Sequence, residues 1–286
     1  MLQKVYTFLK TEILLAGHLL SFGGGILASL LIIVLLPGSR YNPLIALTIY
    51  LFVQPIYWID RYMGVKKDKN DNPERTKHIS NYYNVIPYIS FIYISLFSFI
   101  SLTYLDKRSF IIGISMFILG YFYTVIFKRL TKYIIGFKNY FVASFYTVFL
   151  VYAFLYSNVG IYNLSAVLIY IFVFIRSINV QIFLDLKDIN SDKAEELKTI
   201  PVVIGKSNSI KIMNIINILS ITPIIYGVLL GALPLYILLI LIVIFPYSQS
   251  IKRFTKKPNK YQFITVGSEY LFLSLLIIAG IITTLI

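Results

Sequence analysis

Cysteine is absent from the chain, and histidine occurs only twice, as His18 and His78. The missing thiols exclude disulfide bonds and thiolate metal sites. Two histidines do not favour a zinc or haem site with several histidine ligands, and no metal-ligand pattern accompanies either of them. We therefore expect both histidines to be structural.

Charged side chains are also scarce. They make up 13% of the 286 residues, whereas 58% of the residues are hydrophobic and the mean hydropathy is +0.80. A soluble domain has about 25% charged residues. The composition therefore predicts an all-α integral membrane protein, with residues 1–286 forming a single transmembrane domain.

Nine apolar segments have the length that a helix needs to cross a bilayer. The predicted spans are residues 13–36, 43–60, 85–104, 110–127, 139–157, 164–184, 210–231, 234–250 and 269–286. The first contains Gly23, Gly24 and Gly25. No Lys-Ser/Thr pair follows these glycines, so they predict close helix approach or a widened cavity wall rather than a phosphate loop.

The basic residues predict the orientation of the bundle. With a cytoplasmic N-terminus, most of the 26 lysines and arginines fall in cytoplasmic segments, and the outer loops hold only Arg40, Lys107 and Arg108. The positive-inside rule then predicts a cytoplasmic N-terminus and an outer C-terminus. The formal net charge of +14 thus reflects topology and attraction to anionic lipid or substrate, and it does not indicate nucleic-acid binding.

The acidic residues cluster in two predicted cytoplasmic loops, at about 60–82 and 185–209. Of the 12 acidic residues, four lie between Asp60 and Glu74 and five between Asp185 and Glu196. Membrane insertion does not require acids at these places, because Asp and Glu contribute little to topology. Their clustering therefore indicates another role.

The second loop places Asp185, Asp188 and Asp192 directly after an apolar span. One continuing helix would put all three on the same face, where they repel one another unless a cation lies between them. This arrangement predicts a divalent metal with a phosphate on its far side. A solvated helix end explains the spacing equally well, and the first loop, with Asp60 and Asp68, is by itself typical of an ordinary hydrophilic loop.

Together the two loops resemble those of the UbiA superfamily of intramembrane prenyltransferases, a family with nine helices and two Asp-rich motifs. DLKDINSD, from Asp185, fits the family pattern D-x-x-D-x-x-x-D, and KTIPVVIG follows it as in the family. The stretch from Leu119 resembles the family's Y-S-x-x-L-K-R…K-N segment at Tyr123, Lys128, Lys138 and Asn139, and Arg176 falls where the family tends to carry an arginine.

The first motif departs from the family pattern N-D-x-x-D-x-x-x-D. When Asp68 and Arg75 are aligned with the family's last Asp and its Arg, Arg61 and Gly64 stand where the family has Asp. Asp60 then takes the place of the family's Asn. The departure leaves room for different chemistry on the same scaffold.

The resemblance implies Mg²⁺-dependent transfer of a prenyl group from an isoprenyl diphosphate to a lipophilic acceptor, either a quinone-precursor aromatic or a lipid. The site would lie on the cytoplasmic side of a prokaryotic cell membrane. The implied metal ligands are Asp60, Asp68, Asp185, Asp188 and Asp192, the last three also being the implied catalytic residues and Asp192 either a ligand or a base. The implied substrate-binding residues are Arg75, Tyr123, Lys128, Lys138, Asn139 and Arg176.

Two alternatives remain open. One is another reaction of prenyl diphosphates, such as terpene cyclisation or carotenoid elongation, and the other is a non-catalytic membrane protein that retains the fold. Arg176 lies inside a predicted span, where a cation is costly and indicates a functional site. We expect Asp185 to be its partner.

Overall fold

The computed structural model describes residues 2–65, 72–105, 107–256 and 260–284. This part of the chain contains helices and no strand. The α-helices are α1 (Leu2–Leu15), α2 (His18–Leu35), α3 (Pro43–Gly64), α4 (Pro73–Ser80), α5 (Ile86–Tyr104), α6 (Lys107–Val125), α7 (Phe137–Tyr156), α8 (Leu164–Asp185), α9 (Ile189–Ala194), α10 (Ile200–Leu219), α11 (Thr222–Leu229), α12 (Ile244–Lys256), α13 (Lys260–Gly267) and α14 (Glu269–Thr283). Three 3₁₀ segments connect them, at Tyr83–Val85, Phe127–Lys132 and Leu235–Val243.

Eight helical segments in the described ranges are long and apolar enough to cross a membrane. They are His18–Leu35, Pro43–Gly64, Tyr83–Tyr104, Lys107–Val125, Phe137–Tyr156, Leu164–Asp185, Ile200–Leu229 and Leu235–Thr255. The last predicted span corresponds to Glu269–Thr283, a shorter apolar helix. The predicted all-α membrane architecture is thus confirmed, and the orientation of the bundle stays a prediction.

The first predicted span, residues 13–36, is divided in two. α1 ends at Leu15, and Gly17 adopts a left-handed conformation with φ of 99° before α2 begins at His18. A side chain at Gly17 would be strained at this φ, and its Cβ would lie 2.7 Å from Cγ of Tyr57. Hydrophobicity alone did not indicate this break. The helix α1, with 14 residues, is not among the helices long enough to span a membrane.

The glycine triplet lets α2 approach two neighbouring helices closely. A Cβ on Gly25 would lie 2.5 Å from the carbonyl oxygen of Ala46 in α3. A Cβ on Gly23 would lie 3.0 Å from Cγ of Leu271 in α14. Close helix approach, as predicted for these glycines, is therefore confirmed.

Asp185, Asp188 and Asp192 do not lie on one continuing helix. α8 ends at Asp185, and the amide of Asp188 donates back to the carbonyl of Asp185 over 3.0 Å, an i to i+3 bond that tightens the turn. Asp188 then precedes the short helix α9, which carries Asp192. The break separates the carboxylates that a single helix face would have stacked.

The segment after α9 leads directly into α10. Thr199 caps the N-terminal end of α10, and Pro201 lies in its first turn, where proline is tolerated. Gly205 then interrupts α10 with φ of 79°. Glycine accommodates this kink because it has no Cβ.

Candidate active site

The site is a cavity of about 320 Å³ at one end of the helices α3, α6, α7 and α8. Its mouth is lined by charged and polar side chains from both acidic segments and from the stretch between α6 and α7. These residues are Asp60, Arg61, Asn72, Arg75, Lys128, Lys138, Asp185, Lys187, Asp188, Ser191, Asp192 and Glu195. The fold thus brings together residues that lie far apart in the sequence.

The inner part of the cavity is apolar and aromatic. Val53, Phe145 and Phe149 line it together with Tyr57 and Tyr146. Val53 lies two turns before the end of α3 that carries the mouth residues, which places it roughly 10 Å deeper at 1.5 Å per residue. A charged head and an apolar tail can therefore be accommodated together in one cavity.

Lys138 is the cation between two carboxylates of the second motif. Its Nζ lies 2.6 Å from Oδ1 of Asp185 and 3.9 Å from Oδ1 of Asp192. Asn139 donates from Nδ2 to the other oxygen of Asp185 at 2.8 Å, and Thr199 donates to Oδ2 of Asp192 at 3.0 Å. The ammonium group of Lys138 thus offsets the charge of these acids, and the divalent metal predicted among them stays a prediction.

Asn72 joins the first acidic segment to the second. Its Nδ2 donates to Oδ1 of Asp188 at 3.0 Å, and its Oδ1 accepts from Nζ of Lys187 at 3.1 Å. Asn72 precedes α4, which carries Arg75. These contacts bring α4 to the same mouth as Asp188.

Two backbone hydrogen bonds fix the second segment against the stretch between α6 and α7. The amide of Lys198 donates to the carbonyl of Thr131 at 2.8 Å, and the carbonyl of Lys198 accepts from the amide of Gly136 at 2.8 Å. Lys138 lies two residues after Gly136. These bonds therefore restrain the position of Lys138 relative to Asp192. We refer to this pair of bonds as the Lys198 clamp.

The first-motif side of the mouth is rich in cations. Asp60 is the carboxylate of this motif within the described residues, and Nζ of Lys128 lies 3.7 Å from its Oδ1. Arg61 and Arg75 line the cavity beside it. Asp68, a predicted metal ligand, lies outside the described residues, so its predicted role stays a prediction.

Tyr123 presents an unpaired polar group to the cavity. Its ring stacks on Phe141 with the centroids 4.4 Å apart, and its buried hydroxyl has no hydrogen-bond partner in the part of the chain that the structure describes. Buried polar groups in proteins are normally paired. The hydroxyl of Tyr123 is thus available to a bound ligand.

The carboxylates of the α8–α9 segment differ in acidity. Burial raises the pKa of Asp192 to about 6 against the opposing charge of Lys138. Burial also raises the pKa of Asp188, but the neighbouring charges of Lys187 and Lys138 outweigh it and leave that pKa below its ordinary value. Burial lowers the pKa of Lys187 itself to about 8. Asp192 therefore takes up a proton more readily than Asp188 does.

Arg176 lies elsewhere, and the prediction that Asp185 is its partner is wrong. Its Nε donates to Oε1 of Glu269 at 2.7 Å and its Nη2 to Oε2 at 2.6 Å, while Nη1 contacts Asn217. Arg176 is completely buried and is not among the residues that line the described cavity. Asp185 lies more than two turns further along α8 and is occupied by Lys138 and Asn139.

Glu12 is a buried hydrogen-bond acceptor that the sequence reasoning missed. Its two oxygens accept from four side chains, at 2.6 to 3.0 Å: His18, Trp58, His78 and Tyr82. They tie α1 to α2, α3 and α4, and Ile13, Leu14 and Leu15 on α1 line the cavity. Both histidines thus have structural partners, as expected. No spacing rule links a lone Glu near the N-terminus to residues up to 70 positions away.

We expect Glu12→Gln to destabilise the protein in a pH-dependent way. Burial raises the pKa of Glu12, but the four hydrogen bonds outweigh it and lower that pKa from 4.5 to about 2. Because the pKa is lowered on folding, the stabilisation is present above pH 4.5 and is lost as the pH falls toward 2. The difference in unfolding free energy between wild type and variant should be about 3 kcal/mol at pH 6.

Unfolding in mixed micelles at pH 6 and at pH 3 measures this difference. The variant Glu196→Gln, whose side chain is 79% exposed, is the matched control and should differ little from wild type at either pH. An equal gap for Glu12→Gln at both values would contradict the role assigned to the carboxylate.

A divalent cation fits one side of the mouth better than the other. Within the described residues no group of three His, Cys, Asp or Glu side chains is arranged as a complete metal site. However, Asp185 and Asp192 already hold the ammonium of Lys138, and carboxylate oxygens are the ligands that Mg²⁺ prefers. The α8–α9 segment lines the cavity with several such carboxylates and therefore fits a hard divalent cation, whereas the described part of the first segment lines it with Asp60 alone.

The sequence and the fold were compared with known proteins. The model of the UbiA prenyltransferase family matches residues 44–276. Among curated proteins no sequence matches. Similar solved structures include a UbiA homologue from Archaeoglobus fulgidus bound to GPP and Mg²⁺, with a TM-score of 0.67 and 14% identity over 94% of this chain and 99% of that one.

Two further structures share the fold. The apo UbiA homologue from Aeropyrum pernix K1 has a TM-score of 0.64 and 12% identity, covering 95% of this chain and 99% of that one. A digeranylgeranylglyceryl phosphate synthase has a TM-score of 0.58 and 16% identity, covering 97% and 98% of the two chains. The family match covers most of the chain, and the chain therefore belongs to the UbiA prenyltransferase family.

Proposed function

We propose that the chain transfers a prenyl group from an isoprenyl diphosphate to a lipophilic acceptor, with Mg²⁺, at the cytoplasmic face of a prokaryotic cell membrane. The observation that carries this proposal is one cavity with a charged mouth and an apolar, aromatic interior. A prenyl diphosphate has the same division, since its head carries several negative charges and its tail is a hydrocarbon. The resemblance to a homologue bound to GPP and Mg²⁺ supports the same substrate class.

The charged groups of the mouth have distinct tasks in this proposal. Arg75, Lys128 and Lys138 donate hydrogen bonds to phosphate oxygens, which are stronger when the donor is charged. Asp185 and Asp188 hold Mg²⁺, with Asp192 beside them. The bound Mg²⁺ supplies Lewis-acid stabilisation of the leaving diphosphate.

The transfer breaks the bond between the allylic carbon and the diphosphate oxygen, and the electron pair leaves with that oxygen. Cationic charge then develops on the allylic carbon, next to the aromatic rings of Phe141, Phe145 and Tyr123 in the cavity wall. Ring faces attract such a cation by up to about 2 kcal/mol each when the site is dry. A nucleophilic atom of the acceptor forms the new bond and loses a proton, for which Asp192 is placed.

Release of diphosphate tests the proposal. The purified full chain in lipid is incubated with geranyl, farnesyl or geranylgeranyl diphosphate, with Mg²⁺ or with EDTA. We expect release in Mg²⁺ that rises when an aromatic acid or a glycerol-phosphate lipid acceptor is added. Absence of both release and binding for every chain length would overturn the proposal and favour a non-catalytic protein with this fold.

Analysis of the products distinguishes the remaining possibility. A prenylated acceptor supports transfer and identifies the acceptor class. A cyclised or elongated hydrocarbon, formed without any acceptor, would instead assign terpene cyclisation or carotenoid elongation to the same cavity. All of these reactions share the ionisation of the diphosphate, so only the products separate them.

A further inference from the structure

The charges at the cavity mouth are distributed unequally between its two sides. The α8–α9 side lines the cavity with four carboxylates, Asp185, Asp188, Asp192 and Glu195, and with one cation, Lys187. The opposite side is formed by α3, α4 and the stretch after α6, and of its described residues one carboxylate, Asp60, lines the cavity. Its cations are Arg61, Arg75 and Lys128. Among the described residues that line the cavity, the charges of the first side therefore attract a divalent metal ion and those of the second side repel it.

Three contacts with two residues, Leu15 and Tyr57, restrain the side chain of Arg61. Its Nε donates to the carbonyl of Leu15 at the end of α1, at 3.2 Å, and its Nη1 donates to the carbonyl of Tyr57 at 3.0 Å. Its Cζ also lies 5.0 Å from the centroid of the Tyr57 ring. The guanidinium thus has little conformational freedom left to lose on binding a ligand.

The same guanidinium retains donors for a ligand in the cavity. A guanidinium carries five N–H groups, and two of those on Arg61 donate to the carbonyls of Leu15 and Tyr57. The remaining ones have no hydrogen-bond partner within the described residues, and Arg61 lines the cavity. A fixed fork of N–H donors matches the geometry of phosphate oxygens.

We propose that Arg61 binds the diphosphate directly, and that a divalent metal ion enters only on the α8–α9 side. This inference rests on the proposed function, because it assumes that a diphosphate occupies the mouth. In this arrangement the diphosphate contacts a metal ion on the α8–α9 side and cationic side chains of the protein on the opposite side. Its binding therefore depends on metal only in part.

Binding of inorganic pyrophosphate to the purified full chain in lipid tests the inference without relying on activity. We expect wild type to bind pyrophosphate in EDTA, and Arg61→Met to bind it in EDTA about 10- to 100-fold more weakly, as expected for the loss of hydrogen bonds to a charged group. Arg61→Lys should lie between them, because an ammonium keeps the charge but not the fork. The inference is overturned if wild type shows no binding in EDTA, or if Arg61→Met binds as wild type does there.

A matched control separates this effect from a general loss of charge. Lys132→Met also removes one cation, but Lys132 pairs with Glu196 outside the cavity lining, with Nζ to Oε2 at 2.9 Å, and the variant should bind pyrophosphate as wild type does. Because Arg61 also contacts α1, the unfolding temperature of the Arg61→Met variant is measured too. If Arg61→Met does not fold, the comparison of Arg61→Lys with wild type decides, and equal binding in EDTA overturns the inference.

The metal count gives a second readout. Mn²⁺ replaces Mg²⁺, and electron paramagnetic resonance measures the Mn²⁺ bound per chain at saturating pyrophosphate. One ion per chain is the expected result, and two ions would overturn the inference. If prenyl diphosphates are ionised in Mg²⁺ but these tests fail, the inference about Arg61 falls and the proposed function stands; if ionisation fails as well, both fall.

Discussion

Replacing Asp188 by Asn should reduce Mg²⁺-dependent diphosphate release by about 100-fold or more. Asp188 lines the cavity mouth, and its pKa lies below the ordinary value because of the charges of Lys187 and Lys138. It is therefore ionised at neutral pH and available to a metal ion. Metal stabilisation of a leaving group contributes several kcal/mol, and each ~1.4 kcal/mol corresponds to a factor of ten in rate.

The effect of replacing Asp188 is easier to interpret than the effect of replacing Asp185. Asp185 is 1% exposed and neutralises Lys138, so its replacement also leaves a buried ammonium without its closest partner. Glu196→Gln removes the same charge from the same segment, but Glu196 is exposed and should have wild-type activity. Steady-state release at several Mg²⁺ concentrations measures the effect. Activity of Asp188→Asn within threefold of wild type would contradict the assignment.

Arg176→Met should lower the free energy of unfolding by about 3–5 kcal/mol, because it leaves the carboxylate of Glu269 buried without its cation. Both oxygens of Glu269 accept from Arg176, and the side chains of the pair are 0% and 2% exposed. Asn217, whose Nδ2 also donates to Ser248 at 2.8 Å, extends the network to α10 and α12. Unfolding in mixed micelles measures the loss.

The double variant Arg176→Met with Glu269→Met is the informative comparison. It removes both charges, so it should recover a large part of the stability that Arg176→Met loses. Lys132→Met, which breaks the surface pair with Glu196, should cost no more than about 1 kcal/mol. A double variant as unstable as the single one would show that the charges are not the cause.

The same double variant tests the sequence-based role of Arg176 in substrate binding. If it folds and binds pyrophosphate as wild type does, Arg176 is not a phosphate ligand. A loss of pyrophosphate binding despite normal stability would restore that prediction. The burial of Arg176 against Glu269 makes us expect normal binding.

The sequence alone was sufficient for the membrane architecture and for most of the charged residues at the mouth. Hydrophobic length indicated the spans, and the motif around Asp185 indicated residues that indeed line one cavity. These features depend on local composition and short spacing, which a sequence carries directly.

The features that sequence reasoning missed depend on contacts between distant residues. Glu269 is 93 positions from Arg176, and nothing in the local pattern distinguishes it from Asp185 as a partner. Gly17 separates α1 from α2 within a stretch whose hydropathy is continuous. Tertiary packing decides each of these cases.

The Lys198 clamp has a consequence for how mutations at the site combine. It is made of backbone atoms, with Lys198 bonded to Thr131 and to Gly136, so deleting a charged side chain at the mouth does not remove either hydrogen bond. Lys138 and Asp192 then keep their relative positions when one charge of the mouth is deleted. Non-additivity between such substitutions will therefore report electrostatic coupling between the charges themselves rather than a shared collapse of the mouth.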